Sequence, residues 1–424
     1  MFKSIVQKYL EHLAKRYLKV QKPQVVAVVG SVGKTGTKVA IATVLSEKYR
    51  VRLHEGNHNT PMSVPLSILG VEYPDDVHSI KSWLDVFRAA KLRLKGDKDV
   101  DVIVQELGTD HPGDIKYFSR YLKPNIAVVT AVSDEHMEFF SDLTAVAKEE
   151  LSIAGYSDFT VINRDDIDEH FAKLADTHNL TTYGLGQLAE YRLDLAESNP
   201  LDGRTGRIIC PEWGEVPINL QLIGEHNAKA AAAAVAVAAK LGLTSQQTAV
   251  GVAKVKPTPG RMQLLRGLND SILIDDTYNS SPLAAKAALE TLYRIDAPQR
   301  IAILGSMNEL GHLSAQAHEA LGKLCDSSKL DWVVTIGEEA ELYLVPAAKE
   351  KGCQVRSFKS AIDAGGFVHS VMKPGAVVLA KGSQNKIYAE EALKILLHNT
   401  EEEASLVRQS PAWLDKKQAY FSSL

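Results

Sequence analysis

The chain has 424 residues, 45% of them hydrophobic and 24% charged, and a formal net charge of −4. This length and apolar content allow large buried cores and predict two or three domains, while the mildly acidic balance argues against nucleic acid as the main partner. The sequence has no apolar run long enough to span a membrane, and its three widely spaced cysteines are typical of a reducing compartment, so we expect a cytoplasmic protein.

Residues 2–19 predict a basic amphipathic helix, which we assign to an N-terminal segment over residues 1–22. Apolar side chains recur at helical spacing, and five lysine or arginine residues occupy other positions. Such a helix either attaches to a membrane surface or a partner, or docks against its own domain. We favour docking, because apolar helix faces usually pack within the chain, and we keep a peripheral membrane or partner contact as the alternative.

The next segment is an apolar, β-branched run at residues 25–29 that leads into a glycine-containing loop. The run predicts a buried parallel strand, and the loop glycines let backbone N–H groups approach phosphate oxygens at a helix N-terminus. The loop consists of Gly30, Ser31, Val32, Gly33, Lys34 and Thr35. Lys34 would neutralise the β- and γ-phosphates of a nucleotide, and the Thr35 hydroxyl would ligate Mg²⁺. Val28 stands where the general pattern has a glycine, so the loop is a shortened variant.

Strand-like and helix-like patterns alternate over residues 25–256, as in a doubly wound parallel sheet. Strands are expected at residues 102–104, 126–129 and 160–162. Ligands of such sheets bind at the carboxyl ends of the strands. Because Glu106, residues 134–136, Asn163 and Asp165 follow these strands directly, we expect them to gather beside the phosphate-binding loop.

Two of these residues suggest metal binding. Glu106 ends a strand where its carboxylate can hold the Mg²⁺ that Thr35 also touches, since Mg²⁺ prefers oxygen ligands and few protein contacts. His136 follows the next strand and could ligate a second divalent ion or orient a carboxylate, although a lone histidine at such a place is more often structural.

The pattern changes after an alanine-rich segment at residues 228–240, which predicts a tightly packed helix. Pro-Thr-Pro-Gly at residues 257–260 then interrupts the alternation, as an interdomain hinge would. A second alternation follows, with strands expected at residues 272–274, 301–304, 332–336 and 377–380. We therefore expect a central nucleotide-binding domain over residues 23–257 and a smaller, Rossmann-like α/β domain over residues 258–424.

The motifs of the chain, taken together, resemble those of the Mur ligase family, ATP-dependent amide ligases of peptidoglycan precursor synthesis. The resemblance extends from residue 23 to beyond residue 383. Besides the phosphate-binding loop, its landmarks are Gly56-Asn57-His58-Asn59, Glu106-Leu107-Gly108-Thr109-Asp110-His111, His136-Met137-Glu138, Gly224-Glu225-His226-Asn227, Asp275-Asp276-Thr277-Tyr278-Asn279 and Lys381-Gly382-Ser383. The last two strings, with residues 307–311, are similar to the family branch that adds D-alanyl-D-alanine.

The resemblance implies a P-loop ATPase domain and a reaction that uses ATP and Mg²⁺. A carboxylate is activated as an acyl phosphate, which an amine attacks to give an amide, ADP and phosphate. His136 would ligate a second Mg²⁺, Asn227 would lie beside adenine, and Arg261 and Asp276 would reach the γ-phosphate and the ribose after domain closure. The residues expected near the two joined substrates are Asn57, Asn59, Tyr278, Asn279, Lys381 and Ser383.

Two departures from the family pattern affect these expectations. Family members usually carry a carbamylated lysine that helps to hold the second Mg²⁺, whereas this chain has Glu150 there, which we interpret as a carboxylate replacement. The alternative is a lost second metal site. Only 29 residues precede Gly30, although D-alanyl-D-alanine-adding members have a whole N-terminal domain for the uridine nucleotide. We therefore expect an acceptor that is held differently, or one that is not a UDP-linked muramyl peptide.

Three functions stay open, all with small-molecule rather than nucleic-acid partners. The first is a ligase that adds D-alanyl-D-alanine to a muramyl tripeptide. The second is a related amide ligase with another carboxylate acceptor, such as a lipid-linked glycan, a polyglutamate or a folate. The third is a non-catalytic ATP-binding partner protein, against which the intact Lys34, Thr35, Glu106, His136 and Asp276 argue.

Overall fold

The computed structural model of the chain describes residues 2–54, 56, 58–134, 137–197 and 199–424. Its strands form two sheets, one with nine strands and one with six. Two of the predicted site residues, Asn57 and His136, lie outside the described residues. Within the described part of the chain, no helix combines the length and the apolar character needed to cross a membrane.

The first sheet contains β1 (Gln24–Val29), β2 (Val51–Leu53), β3 (Val102–Glu106), β4 (Ile126–Val129), β5 (Phe159–Asn163), β6 (Leu180–Gly184), β7 (Tyr191–Leu195), β8 (Arg204–Cys210) and β9 (Gly214–Leu220). Their spatial order is β2-β3-β1-β4-β5-β6-β7-β8-β9. Neighbours from β2 to β7 pair in parallel, which confirms the predicted doubly wound sheet. The antiparallel pairs β7–β8 and β8–β9 extend this sheet, a feature that the sequence analysis did not predict. The order of the strands reverses at β1, so the end of β1 lies at the point where such sheets bind ligands.

Helices cover both faces of this sheet. They are α1 (Phe2–Gln21), α2 (Lys34–Leu45), α3 (Ser63–Leu69), α4 (Ile80–Lys95), α5 (Asp114–Phe118), α6 (Leu143–Leu151), α7 (Glu169–Ala172), α8 (Glu225–Lys240) and α9 (Ser245–Lys254). Val25, Ala27 and Val29 of β1 share a core with α1 and α3 to α7, whereas Val26 and Val28 share another with α2, α8 and α9. Since successive side chains of a strand point to opposite faces, β1 is buried on both sides.

The N-terminal helix α1 docks against its own domain. Its residues Leu10, Leu13 and Tyr17 are buried against the first core, where α1 packs on α3 and α4. At the end of α1, Gln21 Nε2 donates a hydrogen bond to the backbone oxygen of Gly96 at 2.8 Å. The docking that we favoured from the sequence is thereby confirmed, and a membrane or partner contact of this helix stays a prediction.

The second sheet contains β10 (Gln263–Arg266), β11 (Ile272–Asp276), β12 (Arg300–Gly305), β13 (Trp332–Ile336), β14 (Val355–Phe358) and β15 (Val377–Lys381). Its helices are α10 (Pro282–Tyr293), α11 (Ser314–Leu324), α12 (Val345–Glu350), α13 (Ala361–Val371), α14 (Glu390–Leu396) and α15 (Pro411–Phe421). The spatial order is β10-β11-β15-β12-β13-β14, and every pair is parallel except β10–β11. The four strands expected in this half of the chain are therefore confirmed.

The segment between α9 and β10 joins the two sheets and contains the predicted hinge. Gly260 has a φ of +69°, a left-handed conformation that favours glycine. A Cβ atom at this position would lie 2.7 Å from Val407 Cγ1 and 3.0 Å from the backbone nitrogen of Tyr278. The chain therefore turns tightly here, against residues that lie close to the second sheet.

Candidate active site

The phosphate-binding loop connects the end of β1 to the N-terminus of α2. Gly30 has a φ of +127°, and a Cβ atom there would lie 2.2 Å from Thr130 Oγ1, so this approach requires glycine. Gly33 forms the N-cap of α2 in a left-handed conformation. Lys34 Nζ folds back and donates to the carbonyl oxygens of Gly30 and Ser31 at 2.5 and 3.1 Å. The loop thus supplies the backbone turn, the helix N-terminus and the cation that suit a phosphate group.

Glu106, the last residue of β3, lies beside this loop. Its carboxylate accepts hydrogen bonds from Thr35 Oγ1 at 3.1 Å and from Asn59 Nδ2 at 3.3 Å. Lys38 Nζ forms a buried ion pair with Glu106 Oε2 at 3.3 Å. The structure therefore brings together three residues predicted from the sequence and adds Lys38, which the sequence analysis missed. Lys38 lies one helical turn after Lys34, and this spacing could have indicated from the sequence that the two lysines lie on the same side of the helix.

Arg261, from the segment that joins the two sheets, also contacts the phosphate-binding loop. Its Nη2 atom donates to Thr35 Oγ1 at 3.2 Å, and its guanidinium lies 4.4 Å from the centre of the Tyr278 ring. The buried Nε atom of Arg261 finds no hydrogen-bond partner among the described residues. Asn227 Nδ2, on α8, donates to the carbonyl oxygens of Ile223 and Arg261 at 3.0 and 3.4 Å. Arg261 is thus held between the phosphate-binding loop and the ring of Tyr278.

Asp276 and Lys381, for which the sequence predicted separate contacts, form one buried ion pair. Lys381 Nζ lies 2.7 Å from Asp276 Oδ2 and donates to the carbonyl oxygen of Asn279 at 3.0 Å. Asp276 Oδ1 accepts a hydrogen bond from the backbone nitrogen of Met262 at 3.2 Å. The parallel pairing of β11 with β15 places the two residues opposite each other. Because they neutralise each other, a ligand that engages one of them also changes the electrostatics of the other.

Most of the predicted residues line one cleft of about 490 Å³ between the two sheets. The predicted residues in its lining are Ser31, Val32, Gly33, Lys34, Thr35, Asn59, Glu106, Asn227, Arg261, Asp276, Tyr278, Asn279 and Lys381. A cleft of several hundred cubic ångströms with convergent polar groups is the usual form of a small-molecule site.

A second group of polar residues, at the end of β5, lines the same cleft. Lys229 Nζ lies 2.7 Å from Asp166 Oδ1, and Asn163 Nδ2 donates to Asp166 Oδ2 at 2.8 Å. We expected Asp165 beside the loop, and that expectation was wrong. Its carboxylate accepts hydrogen bonds from two backbone N–H groups that follow β6, so it fixes a turn. The neighbouring Asp166, which the sequence analysis missed, faces the cleft.

Burial perturbs two ionisable groups at this site. Desolvation raises the pKa of Asp275 to about 6, although its carboxylate accepts hydrogen bonds from the Thr277 hydroxyl at 2.5 Å and the Gly260 nitrogen at 3.1 Å. Desolvation also lowers the pKa of His226, which lines the cleft on the first turn of α8. Both shifts favour the neutral form of the side chain, so the site concentrates its charge on the ion pairs described above.

Besides Asp165, three of the predicted residues that the structure describes lie outside the cleft lining: Gly30, Glu150 and Ser383. Glu150, on α6, is buried, and its Oε1 atom accepts a hydrogen bond from Thr109 Oγ1 at 2.6 Å. Ser383 is also buried, and its Oγ atom accepts a hydrogen bond from the backbone nitrogen of Asn308 at 2.9 Å. Because Asn308 lines the cleft, Ser383 lies one hydrogen bond behind the cleft wall, near the place that was predicted for the amine substrate.

The residues present fit a nucleoside triphosphate and Mg²⁺. The loop backbone, the N-terminus of α2 and Lys34 suit the phosphates. Groups of three or more His, Cys, Asp or Glu side chains that could hold a metal do not occur within the described ranges. Thr35 and Glu106 nevertheless offer two oxygen ligands at one place, and Mg²⁺ usually takes one or two protein ligands together with phosphate oxygens and water.

Comparison with known proteins places this site within a family. The sequence model of the Mur ligase middle domain matches residues 28–238, and that of the Mur ligase glutamate ligase domain matches residues 260–384. The UDP-N-acetylmuramoyl-tripeptide–D-alanyl-D-alanine ligase of Bacillus subtilis is 28% identical over 399 residues, which are 92% of this chain and 79% of that enzyme. The enzyme of the same name from Haemophilus influenzae is 29% identical and covers 78% of this chain and 67% of its own length.

Solved structures agree with this grouping at the level of the fold. MurF from Acinetobacter baumannii superimposes with a TM-score of 0.76 at 24% identity, covering 91% of this chain and 79% of that one. MurF from Thermotoga maritima, solved in complex with ADP, gives a TM-score of 0.75 at 24% identity over 94% of this chain and 84% of that one. With both domain models matched in order along the chain, the chain belongs to the Mur ligase family.

Proposed function

We propose that this chain is an ATP-dependent amide ligase that joins D-alanyl-D-alanine to a UDP-linked muramyl tripeptide. The contact between Arg261 and Thr35 carries the proposal, because it brings a residue from the second half of the chain to the loop that would hold the ATP phosphates. The names of the relatives from Bacillus subtilis and Haemophilus influenzae support this choice of substrates.

The phosphate-binding loop would hold ATP by its phosphates. In this state the Lys34 ammonium exchanges the carbonyl oxygens of its own loop for oxygens of the β- and γ-phosphates. Arg261, whose Nη2 atom reaches Thr35 of the loop, would donate to the γ-phosphate. Mg²⁺, when held by Thr35 and Glu106, would supply further charge neutralisation on the phosphates. Phosphoryl transfer depends mainly on such positioning and charge neutralisation.

The chemical step joins the two organic substrates. A carboxylate oxygen of the acceptor attacks the γ-phosphorus of ATP, the bond to the β-phosphate oxygen breaks, and ADP leaves. The amine nitrogen then attacks the carbonyl carbon of the acyl phosphate, inorganic phosphate leaves, and the nitrogen loses a proton. We assign Asn59 to the acceptor side, since it contacts Glu106, and Tyr278, Asn279 and Lys381 to the amine side of the cleft.

Further assignments complete the proposal. Glu150 would stand in for the carbamylated lysine of the family, and His136 would ligate a second Mg²⁺. Asn57 would contact the acceptor, and Asn227 would lie on the adenine side. We also propose a division into residues 1–22, 23–257 and 258–424, and a cytoplasmic site of action, where ATP is available.

The proposal is tested by measuring phosphate release from ATP and Mg²⁺ with UDP-muramyl-tripeptide and D-alanyl-D-alanine, omitting each substrate in turn. Mass spectrometry of the product should show the pentapeptide only when both substrates are present. Lys34→Ala serves as the variant with strongly reduced activity, and Lys349→Ala, which removes an exposed lysine on α12, is the matched control.

The outcomes separate the open functions. Phosphate release that requires both substrates establishes the proposal. Nucleotide binding without turnover on these substrates, followed by turnover with another carboxylate and amine, would replace the acceptor and keep the ligase reaction. Nucleotide binding without turnover on any pair would leave an ATP-binding partner protein.

A further inference from the structure

The outward side of the first domain carries a basic surface formed by α1 and α4, which we call the basic helix surface. On α1, the side opposite the buried face presents Lys8, His12, Lys15, Arg16 and Lys19, all of them exposed. On α4, the exposed basic side chains are Lys81, Arg88, Lys91, Arg93 and Lys95. The two helices pack side by side on the same core, so their exposed sides form one continuous surface.

The charge of this surface is opposite to that of the rest of the protein. Residues 2–21 contain five Lys or Arg and one acidic residue, and residues 80–95 contain another five and one. Ten positive and two negative charges give the two helices +8, and because the whole chain has −4, the remaining residues carry −12. A segregation of this size creates a local positive potential on an acidic protein.

Few of these basic groups are neutralised by neighbours. Arg88 pairs with Asp85 at 2.7 Å on an exposed part of α4. Arg93 pairs with Asp99 at 2.7 Å. The acidic residue of α1, Glu11, accepts a hydrogen bond from Tyr117 and so points away from the outward side. Exposed pairs of this kind are weak, so most of the positive charge stays available to an anionic partner.

An exposed apolar group lies at the N-terminal end of both helices. The two helices run in the same direction, because Tyr9 of α1 contacts Phe87 of α4 at 4.8 Å and Gln21 contacts Gly96. One to two turns before Tyr9 and Phe87, the chain exposes Phe2 (40%), Ile5 (62%), Ile80 (64%) and Leu84 (47%). The parallel arrangement brings these four side chains to the same end of the helix pair.

We propose that the basic helix surface binds an anionic lipid bilayer, with these four apolar side chains entering the headgroup region. A basic polar face beside exposed bulky apolar side chains is the pattern of helices that lie in the plane of a membrane interface. Anionic lipid headgroups attract lysine and arginine near the surface, and the attraction adds up over several residues. The contact is peripheral, since it uses the exposed sides of two helices whose other sides are buried in the protein core. It is independent of the ligase function proposed above.

The test is flotation of the full-length protein with vesicles, at low and at physiological salt. Vesicles of phosphatidylcholine with about 30% phosphatidylglycerol should carry the protein upward, and pure phosphatidylcholine vesicles should bind it at least about tenfold more weakly. Lys8→Glu/Lys19→Glu should weaken binding at least about tenfold. Its matched control, Lys349→Glu/Lys351→Glu, changes the net charge equally on an exposed part of the second domain and should bind as the unaltered protein does.

The apolar part of the proposal has its own pair of variants. Ile5→Ser/Leu84→Ser should weaken binding to the anionic vesicles, whereas Leu342→Ser/Ile362→Ser, which removes two exposed apolar side chains elsewhere, should not. Thermal unfolding verifies that each variant is folded. The proposal is overturned if the protein stays with the unbound fraction on anionic vesicles at low salt, if both vesicle types bind it equally, or if the control variants lose binding to the same extent.

Discussion

Arg408→Met should both destabilise the second domain and weaken nucleotide binding. Arg408, between α14 and α15, donates to both carboxylate oxygens of Glu390, through Nε at 2.8 Å and Nη2 at 2.6 Å. It also donates to the carbonyl oxygens of Thr277 and Tyr278 at 2.6 and 2.9 Å. Tyr278 in turn lies under the guanidinium of Arg261, which reaches the phosphate-binding loop. The guanidinium of Arg408 thus links a buried carboxylate to the segment that positions the nucleotide-binding arginine.

The magnitude follows from the burial of Glu390. This residue is fully buried, and its cations are Arg408 and Lys417, whose Nζ lies 2.8 Å from Glu390 Oε1. Removing one partner of a buried ion pair costs about 3–5 kcal/mol of unfolding free energy. For a unit of about 150–250 residues, each kcal/mol lowers the midpoint of thermal unfolding by roughly 2–4 °C, so we expect a decrease of roughly 6–20 °C. The freed Tyr278 segment should also raise the KM for ATP.

Lys417→Met provides the control, because it removes the other cation from Glu390 without contacting the Tyr278 segment. Differential scanning calorimetry should show similar decreases in the unfolding midpoint for both variants. Titration with a non-hydrolysable ATP analogue and steady-state kinetics should show weaker nucleotide binding in the Arg408 variant alone. If Lys417→Met raises the KM for ATP as much as Arg408→Met does, general destabilisation explains the effect and the positioning argument fails.

Four further changes test the site itself. Lys34→Ala should lower phosphate release roughly 10²–10³-fold with an unchanged unfolding midpoint, since it removes one preorganised donor to the phosphates; near-normal turnover would contradict the assigned loop. Arg261→Met should weaken binding of a non-hydrolysable ATP analogue, which keeps the γ-phosphate, about 10- to 100-fold in titration calorimetry, the value of a lost charge-assisted hydrogen bond. Glu150→Lys should leave partial activity that depends on bicarbonate, and full activity without bicarbonate would show that this position is not a metal ligand. Burial raises the pKa of Asp275 from 3.8 to about 6. The contribution of Asp275 to the free energy of unfolding is therefore present below about pH 4 and is lost as the pH rises through about 6. Over this range the free energy of unfolding should decrease by up to about 1.4 kcal/mol per pH unit. Asp275→Asn should therefore lack this component in urea titrations at pH 4 to 7.

Local motifs allowed much of the site to be predicted from the sequence. The conformation of the loop at residues 30–35 can be predicted from local sequence, because the glycines, the lysine and the start of the helix are adjacent in the chain. Glu106 could be placed beside it, since a polar residue at the end of a neighbouring parallel strand must lie at the same edge of the sheet. Arg261 could be placed only by the resemblance to the family, because its contact with Thr35 joins residues that are far apart in the chain.

Residues whose role depends on a distant partner were harder to predict. Asp165 and Asp166 are adjacent acidic residues after the same strand, and only the packing of the turn after β6 and of Lys229 on α8 decides which one faces the cleft. The antiparallel hairpin of β8 and β9 was missed for a similar reason. The apolar runs of β8 and β9 are short and are separated by a turn at residues 211–213. Such runs are compatible with alternating strands and helices as well as with a hairpin, and only the pairing of β8 with β7 distinguishes the two.

The pairing of Asp276 with Lys381 shows how the fold joins two parts of the proposed reaction. The resemblance to the family implied that Asp276 contacts the nucleotide and that Lys381 lies near the amine substrate, yet the structure places their charges 2.7 Å apart in a buried setting. A buried carboxylate that loses its cation is strongly destabilised, so neither residue can move toward a ligand without a replacement for the other. Nucleotide binding at Asp276 would therefore change how firmly Lys381 is held. The register of β11 against β15, rather than any local motif, creates this coupling between the two halves of the cleft.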